Sequence, residues 1–499
     1  MKKFLTLVLA AGVLVAISSG ISSVAYANVC AMDQAPAATL LYPFVVYDYN
    51  AVNDKGDTTL FAVTNVSNEA VIVHFTLWTD YSTHVLDWDV MLTGYDVQTM
   101  NIRDILKNGE LPTTWPGSAT SPNYPDKAAN AGVHEGGPEA LGSAPYRLPD
   151  PVGVAGFQAL PGCASFPPIF SPTNIIPTST LQLIQQFLQA SQSVTRGHTD
   201  CNGSFFSRND WFEMRTTADS TWMYITADVV NDCSQAFPDT DPNYFGQGGT
   251  GLAGDENVLM GDIFYVNDEN NLSEAIPAVH LEADPNIVST LNPETDNPQT
   301  FYHQYSQGKD DREPLPNAYG FRYLGAGSTD FGTNVRVFKR ASTNPPFNTG
   351  DTPGHIEDLM LGGAQTSIPT SMYAKDCQPY IYFAWDEDEQ VVTSPPVPPW
   401  SCPPNDPNCT AIGEPNELPL ETQEVAIDKG FVTPDMNGWI LLVWPNNVQS
   451  HSDLYQTYVS VKYNAFGRYS AAMPAAVLSN YNCFANQVLP NLGIGQVFR

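Results

Sequence analysis

Basic residues are scarce in this 499-residue chain. It contains 21 lysines and arginines against 53 aspartates and glutamates, so its formal net charge at pH 7 is −32. A field of that sign repels phosphate backbones and anionic lipid headgroups, while it attracts cations and favours solubility. The composition therefore argues against nucleic-acid binding and makes cations reasonable ligands.

The density of charge is also low. Charged residues of both signs make up 15% of the chain, whereas hydrophobic residues make up 42%, the reverse of the balance in a disordered acidic tail. The 41 prolines exceed the usual ~5%, and proline interrupts helices but is tolerated in loops. We therefore expect a large core, long ordered loops and few helices.

Long apolar runs are confined to the amino terminus. Two lysines precede the apolar run 4–17, and residues 25–27, Ala-Tyr-Ala, match the small-x-small pattern that signal peptidase recognises. The run is shorter than the ~20 residues needed to cross a bilayer. The pattern predicts a signal peptide over 1–27, and no transmembrane segment after its cleavage. The mature protein is then exported and lies in the periplasm, outside the cell or at the cell surface.

All eight cysteines follow the predicted cleavage site. An even number in an oxidising compartment predicts disulfides, although eight cysteines allow 105 connectivities. Two pairings have local support: Cys402 and Cys409 flank a turn-forming Pro-Pro-Asn-Asp-Pro-Asn segment, and Cys201 and Cys233 can bracket one β-hairpin. A zinc site built on cysteine is disfavoured because the sequence has no Cys-x-x-Cys and no clustered His–Cys spacing.

Alternation of apolar and polar residues predicts half-buried strands through most of the chain. The strands between residues 41 and 102 are interpreted as an antiparallel meander, with Val73, Phe75 and Leu77 on the core face of the third strand, and Pro43 indicates an edge strand. One helix is predicted over 179–193 because Ile184 and Leu188 continue a helical spacing of apolar residues. Further strand signals occur over 222–230, 260–266, 275–283, 334–339, 380–385, 438–444, 454–464 and 468–473.

The predicted fold is mainly β, an antiparallel β-sandwich of immunoglobulin-like or jelly-roll-like character, built as one large unit or as two sandwiches that share an interface. The patterns divide the chain into a signal peptide (1–27), an N-terminal β-meander (28–104), a loop-rich insertion with one helix (105–220), a central β region (221–390), a Pro-rich disulfide-clamped loop (391–430) and C-terminal strands that pack back on the N-terminal β region (431–499).

Signatures of common catalytic sites are missing. The sequence contains no H-E-x-x-H, no G-x-S-x-G and no P-loop. Alternation places His280, Glu282 and Asp284 on one strand face. It also places Asp87 and Asp89 on one face of another strand, ~6.6 Å apart. Both groups are compatible with acid–base chemistry, but solvated polar strand faces have the same pattern.

Calcium is the one cofactor that the sequence suggests. Asp239, Asp241 and Asn243 provide alternating oxygen ligands like those at the start of a calcium loop. Tyr244 occupies the position where an EF-hand needs glycine, and Thr250 the position where it needs an acid. Any calcium site formed by these three predicted ligands is therefore of another type.

Trp78 is predicted to share the polar face of its strand with His74. An exposed aromatic residue there can stack on a sugar ring, whereas one covered by the 105–220 insertion belongs to the core. Because large aromatic side chains are mostly buried in folded proteins, burial is the favoured interpretation.

Four segments carry a resemblance: 58–65 (Thr-Thr-Leu-Phe-Ala-Val-Thr-Asn), 77–80 (Leu-Trp-Thr-Asp), 92–99 (Leu-Thr-Gly-Tyr-Asp-Val-Gln-Thr) and 312–316 (Arg-Glu-Pro-Leu-Pro). The chain resembles a group of exported β-rich proteins of Gram-negative bacteria that has no assigned activity. The resemblance runs through most of the mature chain. It implies export and provides no catalytic residues.

These observations predict an exported structural or binding protein whose loops, on a rigid β scaffold, contact a protein or glycan partner. Two alternatives stay open. One is a secreted hydrolase acting on polysaccharide or peptide, with carboxylates brought together by folding. The other is a carbohydrate-binding protein, which an exposed row of aromatic residues including Trp78 would favour.

We expect N-terminal sequencing of the exported protein to begin at Asn28. Ala27→Phe should prevent cleavage there, because signal peptidase requires a small residue at that position. Ala31→Phe, beyond the cleavage site, serves as the matched control and should leave the start at Asn28. A wild-type protein that begins at Met1 contradicts the prediction.

Overall fold

A computed structural model describes residues 34–112, 220–284, 300–340, 380–393, 421–444 and 456–479 with short gaps, and part of 176–188. The fold is mainly β, as the alternation predicts, and its strands form four antiparallel sheets. The described strands are β1 (Thr39–Asp48), β2 (Asp57–Asn65), β3 (Val71–Thr79), β4 (His84–Leu92), β5 (Val97–Asn101), β6 (Ser220–Val230), β7 (Leu259–Asn267), β8 (Leu272–Pro277), β9 (Val279–Leu281), β10 (Ala318–Leu324), β11 (Gly332–Lys339), β12 (Ile381–Asp386), β13 (Val391–Thr393), β14 (Thr422–Ala426), β15 (Asn437–Val443), β16 (Thr457–Asn464), β17 (Ser470–Pro474) and β18 (Ala476–Ser479).

The four sheets form two sandwiches. In the N-terminal sandwich, the sheet β4-β3-β6-β1-β9 packs on the sheet β5-β2-β7-β8. In the C-terminal sandwich, the sheet β13-β12-β15-β10-β18 packs on the sheet β14-β11-β16-β17. The two sandwiches touch where β17 lies against β8 and where β14 lies against β1 and β6. One hydrophobic core runs through all four sheets, so the arrangement is compatible with both predicted descriptions, one large unit and two sandwiches that share an interface.

The predicted core face of β3 is confirmed. Val73, Phe75 and Leu77 are buried, and Phe75 stacks on Trp88 of β4 with ring centroids 5.2 Å apart and planes 4° apart. Burial of one such side chain contributes ~1.5–3 kcal/mol. The predicted helix is also present, since the described residues between 178 and 188 are helical and Leu188 reaches the same core. The other described helices are a π-helix (Asp104–Asn108) and the short α1 (His303–Ser306).

The pairing of the first five strands differs from the expected meander. β1, β3 and β4 lie in one sheet of the sandwich, and β2 and β5 lie in the opposing sheet. β1 is buried along its whole length and pairs with β6 and β9, which come much later in the chain. Alternation defines the face that a strand buries but not its neighbours, so it could not show this crossing.

Pro43 does not mark an edge strand, because β1 is an interior strand of its sheet. The register of β1 against β6 shifts between Tyr42 and Val45, and a bulge of this kind accommodates a residue without an N–H group. The carbonyl of Pro43 accepts a hydrogen bond of 2.6 Å from Thr422 Oγ1 at the start of β14. The irregularity in β1 thus provides a contact between the sandwiches.

The C-terminal strands pair differently from the expectation. β16 and β17 extend the sheet around β11, and β18 pairs with β10, so these strands complete the C-terminal sandwich. The predicted strand 275–283 is divided at Ala278. β8 pairs with β7 in one sheet, while β9 pairs with β1 in the other. The chain therefore crosses from one layer of the N-terminal sandwich to the other at this residue.

A buried ion network joins the sandwiches. Arg336 of β11 donates to Glu424 on the neighbouring β14 at 2.8 Å and to Glu274 on β8 of the N-terminal sandwich at 2.9 Å. Its guanidinium also lies over the ring of Tyr265, 4.0 Å from the ring centroid. Lys462 lies 3.5 Å from Glu274 and 3.8 Å from Glu424. The two cations and the two carboxylates neutralise each other inside the interface.

The charge of Glu424 depends on that network. Burial alone raises the pKa of a carboxyl, but the positive charges of Lys462 and Arg336 and the hydrogen bonds from Asn334 and Arg336 lower the pKa of Glu424 to about 2. Glu424 is thus ionised throughout the ordinary pH range. Its contribution to stability is present above its ordinary pKa of 4.5 and is lost as the pH falls through about 2.

Replacement of Arg336 by alanine should lower the free energy of unfolding by about 3–5 kcal/mol, because it leaves two buried carboxylates with only Lys462 as a cationic partner. Arg322→Ala is the matched control, since Arg322 pairs with Glu387 at 2.7 Å but both side chains are more than half exposed. That surface pair should contribute at most ~1 kcal/mol. Urea unfolding of both variants is the measurement, and equal small losses would contradict the structural role of the network.

Candidate functional site

Polar side chains cover the outer face of the sheet β4-β3-β6-β1-β9, opposite its core face. We call this face the polar layer and define it by His74 and Thr76 of β3, Asp87 and Asp89 of β4, and Asp228 of β6. The segment 236–257 and the segment 300–312 pack over it, so that all five side chains are buried. Charged groups in such a place must be matched by partners, because burial of an isolated charge is very costly.

Asp228 is the centre of the hydrogen bonds in the polar layer. Its carboxylate accepts from Thr39 Oγ1, from Tyr244 Oη at 2.8 Å and from Tyr302 Oη at 2.9 Å. Arg312 is fully buried beside it. Burial lowers the pKa of an arginine, but here the negative charge of Asp228, with those of Asp255 and Asp310, outweighs burial and raises it.

Arg312 connects three separate parts of the chain. It donates to Thr39 Oγ1 at 2.9 Å, to Asp255 at 3.0 Å and to the carbonyl of Asp310 at 2.7 Å. Thr39 and Arg312 are 273 positions apart in the sequence. The polar layer is therefore fixed by long-range contacts that no local pattern encodes.

His74 lies between the two aspartates of β4. Its Nδ1 is 2.8 Å from Asp89 Oδ1, and its Nε2 is 4.0 Å from Asp87 Oδ2. Burial lowers the pKa of His74, but the charge and hydrogen bond of Asp89, with the charges of Asp87 and Asp228, outweigh it and raise the pKa to about 9. For Asp87 burial acts in the opposite direction: it outweighs the positive charge of His74 and raises the pKa of this carboxyl to about 7. The predicted pair of acids is thus brought together around a histidine and away from solvent.

The metal-free protein should lose stability as the pH rises from about 4 to 9. Asp87 and His74 bind their protons more tightly in the folded chain than at their ordinary pKa values of 3.8 and 6.5. Each stabilising contribution is therefore complete below the ordinary value and is lost as the pH rises through the folded value. One such group changes stability by about 1.4 kcal/mol per pH unit within its window.

Asp87→Asn tests the lower part of that window. Because asparagine does not titrate, the melting temperature of the variant should fall less than that of the wild type between pH 4 and 7. Thermal unfolding in the presence of a chelator measures the difference, and Asp388→Asn, in an exposed turn, is the control. Parallel curves for Asp87→Asn and the wild type would be inconsistent with the raised pKa of Asp87.

A second histidine–aspartate pair lies at the end of the polar layer. His84 Nδ1 is 2.9 Å from Asp239 Oδ2, and Phe237 stacks on the imidazole with centroids 3.8 Å apart. Ser82, two residues earlier, has the left-handed φ of 56°, and its hydroxyl is 2.6 Å from the hydroxyl of Tyr224. Nucleophilic catalysis uses a serine near a histidine that an aspartate orients, and Ser82, His84 and Asp239 are the residue types of such an arrangement. All of these side chains are buried.

Trp78 is buried, which was the favoured expectation. Its ring lies parallel to the rings of Tyr224 and Tyr305, with centroids 5.7 and 6.0 Å away, and its Nε1 donates to Thr226. The described residues that cover it thus come from β6 and α1, and none of them from the 105–220 insertion. Trp78 offers no open ring face for a sugar.

A small cavity adjoins Trp78. Ser82, Tyr224, Tyr305 and Arg340 are among its lining residues. Its volume of about 20 Å³ accommodates about one water molecule. A substrate or sugar ring therefore cannot enter this cavity unless the surrounding side chains move.

Two of the three predicted calcium ligands make contacts with other groups of the protein. Asp239 bonds to His84, whereas Asp241 Oδ1 accepts from the backbone N–H of Asn243 at 2.8 Å, a local turn contact. Within the described parts of the chain, no group of three or more His, Cys, Asp or Glu side chains has the geometry of a metal site. Calcium binding stays a prediction.

The predicted group of His280, Glu282 and Asp284 makes structural contacts in β9 and just after it. His280 Nε2 accepts from the backbone N–H of Gly261, which is a structural contact between the two layers. Glu282 and Asp284 follow β9, where their backbones pair with Glu313 and Asp311.

All eight cysteines, including the proposed pairs Cys201–Cys233 and Cys402–Cys409, lie outside the described residues, and so does the predicted signal peptide.

Comparison with protein-family models, with curated proteins and with solved structures finds no match. In the ranges covered by the structure, no helix is long and apolar enough to cross a membrane.

The sequence patterns did not indicate Asp228, Arg312 or the Arg336 network. One feature of the sequence could have indicated the two arginines, namely the scarcity of basic residues. An arginine that lies in a strand pattern or a Pro-rich turn of such a chain must have acidic partners if it is buried. Arg336 lies in the predicted strand 334–339, and Arg312 begins the segment Arg-Glu-Pro-Leu-Pro.

Proposed function

We propose that this chain is an exported structural or binding protein of the periplasm, the cell surface or the extracellular space. Its rigid double sandwich holds loops that contact a protein or glycan partner. The observation that supports this proposal most directly is that the acids and histidines of the polar layer are buried and bonded largely to one another. Such groups stabilise a scaffold and are not accessible to a substrate.

The link between the sandwiches supports the same proposal. Arg336, Lys462, Glu274 and Glu424 fix the two halves of the protein relative to each other, and the Pro43–Thr422 hydrogen bond adds a second contact. A scaffold that displays loops at fixed separations gains from such rigidity, because a partner then pays less ordering entropy on binding.

Hydrolysis is the alternative that Ser82, His84 and Asp239 favour. His84 is oriented by Asp239 as a general base would be, and Ser82 lies nearby on a strained turn. The burial of all three side chains and the small size of the adjoining cavity make this the second choice.

Carbohydrate binding is favoured by a different surface. Trp439 of β15 is 41% exposed and stacks on Trp385 of β12 with centroids 4.1 Å apart. Arg322 and Glu387 form an exposed ion pair nearby and can hydrogen-bond hydroxyl groups. Because the two indoles cover each other's inner faces, only the outer face of Trp439 is left for a sugar ring, and this limits the affinity that stacking can supply.

The test uses the purified mature protein, residues 28–499, and envelope fragments of the bacterium that produces it. We expect saturable co-sedimentation with the envelope and no release of soluble sugar or peptide fragments. Release of fragments that is abolished by His84→Ala but not by the control His280→Ala would establish a hydrolase instead. Failure to sediment with the envelope, to bind purified glycans and to bind envelope proteins would contradict the proposal as a whole.

The glycan form of the proposal has its own measurement. If the partner is a glycan, Trp439→Ala should weaken binding to purified polysaccharide about 2- to 10-fold, since one stacking contact contributes ~0.5–1.5 kcal/mol. Tyr469→Ala, which removes a more exposed aromatic ring elsewhere, is the control. Unchanged binding in Trp439→Ala would exclude this surface.

Calcium belongs to the proposal as a stabilising ligand of the acidic loops, with Asp239, Asp241 and Asn243 as its predicted ligands. A ligand that binds only the folded state raises the melting temperature. The absence of any shift at millimolar calcium would rule out such a site.

A further inference from the structure

Three polar atoms of the polar layer have no hydrogen-bond partner among the described residues. They are His74 Nε2, Thr76 Oγ1 and Asp87 Oδ2, and the residues that carry them are all buried. Thr76 lies directly opposite Asp87 in the pairing of β3 with β4, and His74 lies opposite Asp89, so the three atoms belong to neighbouring positions on one sheet face. Buried polar atoms are rarely left without partners, and three together indicate a bound species.

The orientation of His74 is that of a metal ligand. Asp89 lies 2.8 Å from Nδ1 and holds a proton there, so when the imidazole gives up its second proton to an incoming metal, Nε2 is the nitrogen with the lone pair. Histidines that bind metals usually donate their other ring N–H to a carboxylate in this way. The lone pair of Nε2 faces Asp87 Oδ2 at 4.0 Å.

The separation of these two atoms is close to what one metal ion needs. With metal–nitrogen and metal–oxygen bonds of ~2.1 Å, two ligands of a tetrahedral ion are ~3.4 Å apart. A displacement of ~0.6 Å, within reach of a small rotation of the Asp87 side chain, brings Nε2 and Oδ2 to that distance.

Metal binding would displace protons, because a metal takes the neutral imidazole and the ionised carboxylate as ligands. Once His74 is neutral and Asp87 is ionised, Asp87 and Asp89 place two negative charges in a buried region, and a divalent ion neutralises both. The third acid, Asp228, is already matched by the nearby Arg312. An imidazole with a carboxylate selects zinc and similar transition metals over calcium and magnesium, which prefer all-oxygen sites.

We propose that His74 Nε2 and Asp87 Oδ2 bind one divalent transition-metal ion of the zinc type. Thr76 Oγ1 lies beside the ion, and water completes the coordination. Asp89 is a positioning residue that orients the imidazole. The ion would join β3 to β4, the edge strand of its sheet, and thus strengthen the part of the scaffold under the segment 236–257. This site is distinct from the predicted calcium ligands Asp239, Asp241 and Asn243.

The experiment is a titration of chelator-treated mature protein with Zn²⁺ by calorimetry and with Co²⁺ by absorption spectroscopy. We expect one equivalent of either ion per chain, a Co²⁺ spectrum typical of tetrahedral N/O coordination, and a rise in melting temperature with Zn²⁺ that Mg²⁺ does not reproduce. His74→Gln and Asp87→Asn should each weaken the affinity at least 100-fold. Asp87→Asn has nearly the shape of the wild-type side chain, so it tests the site even if His74→Gln does not fold.

Asp89→Asn tests the positioning role. It should weaken metal affinity 10- to 100-fold and also shift the Co²⁺ absorption bands, because the basicity of the imidazole changes. His280→Gln and Asp388→Asn are the matched controls and should bind as the wild type does. No bound metal in the wild type, equal affinity in Asp87→Asn, or a crystal structure of Zn²⁺-soaked protein with only water between His74 and Asp87 would each overturn the proposal.

Discussion

The structure depends on the burial of one positive charge. Arg336 lies at the interface of the two sandwiches, against the rings of Phe44 and Tyr265 and between Glu274 and Glu424. A guanidinium can be removed from water there only if both carboxylates are present, and these come from strands of different sandwiches. The correct assembly of the interface is therefore a condition for burying the charge, and a misaligned interface would leave a charge unpaired.

The polar layer follows the same rule with different residues. Asp228 is matched by Arg312 and by three hydroxyl groups, and His74 is matched by Asp89. In a chain of net charge −32 basic residues are few, yet Arg312 and Arg336 are buried and Arg340 is half-buried. The net negative charge of the chain favours partners that are neutral or positively charged, or that bring cations with them.

Alternation predicted the strands well because it reports directly on burial: the core face of β3 and the positions of β1 to β7 follow from it. It could not predict that β1 lies between β6 and β9, since strand neighbours depend on contacts across hundreds of residues. The prediction of an edge strand from Pro43 was wrong because proline is accommodated both at a sheet edge and at a bulge inside a sheet. The acids at 87 and 89 were found, but their partner His74 was recognised only as a neighbour of Trp78 on the same face. The pairing that gives these groups their chemistry is a property of the register between β3 and β4.

The interior position of β1 has a consequence for the order of events during synthesis. The partners of β1 lie at residues 220–230 and 279–281, so this strand has no place to pair until nearly half of the chain has been made. Contacts between such distant residues form slowly. β1 thus stays without its partner strands for a long interval after it is synthesised. Such a delay would suit the export that we propose, because a polypeptide can pass through a narrow channel only before it folds.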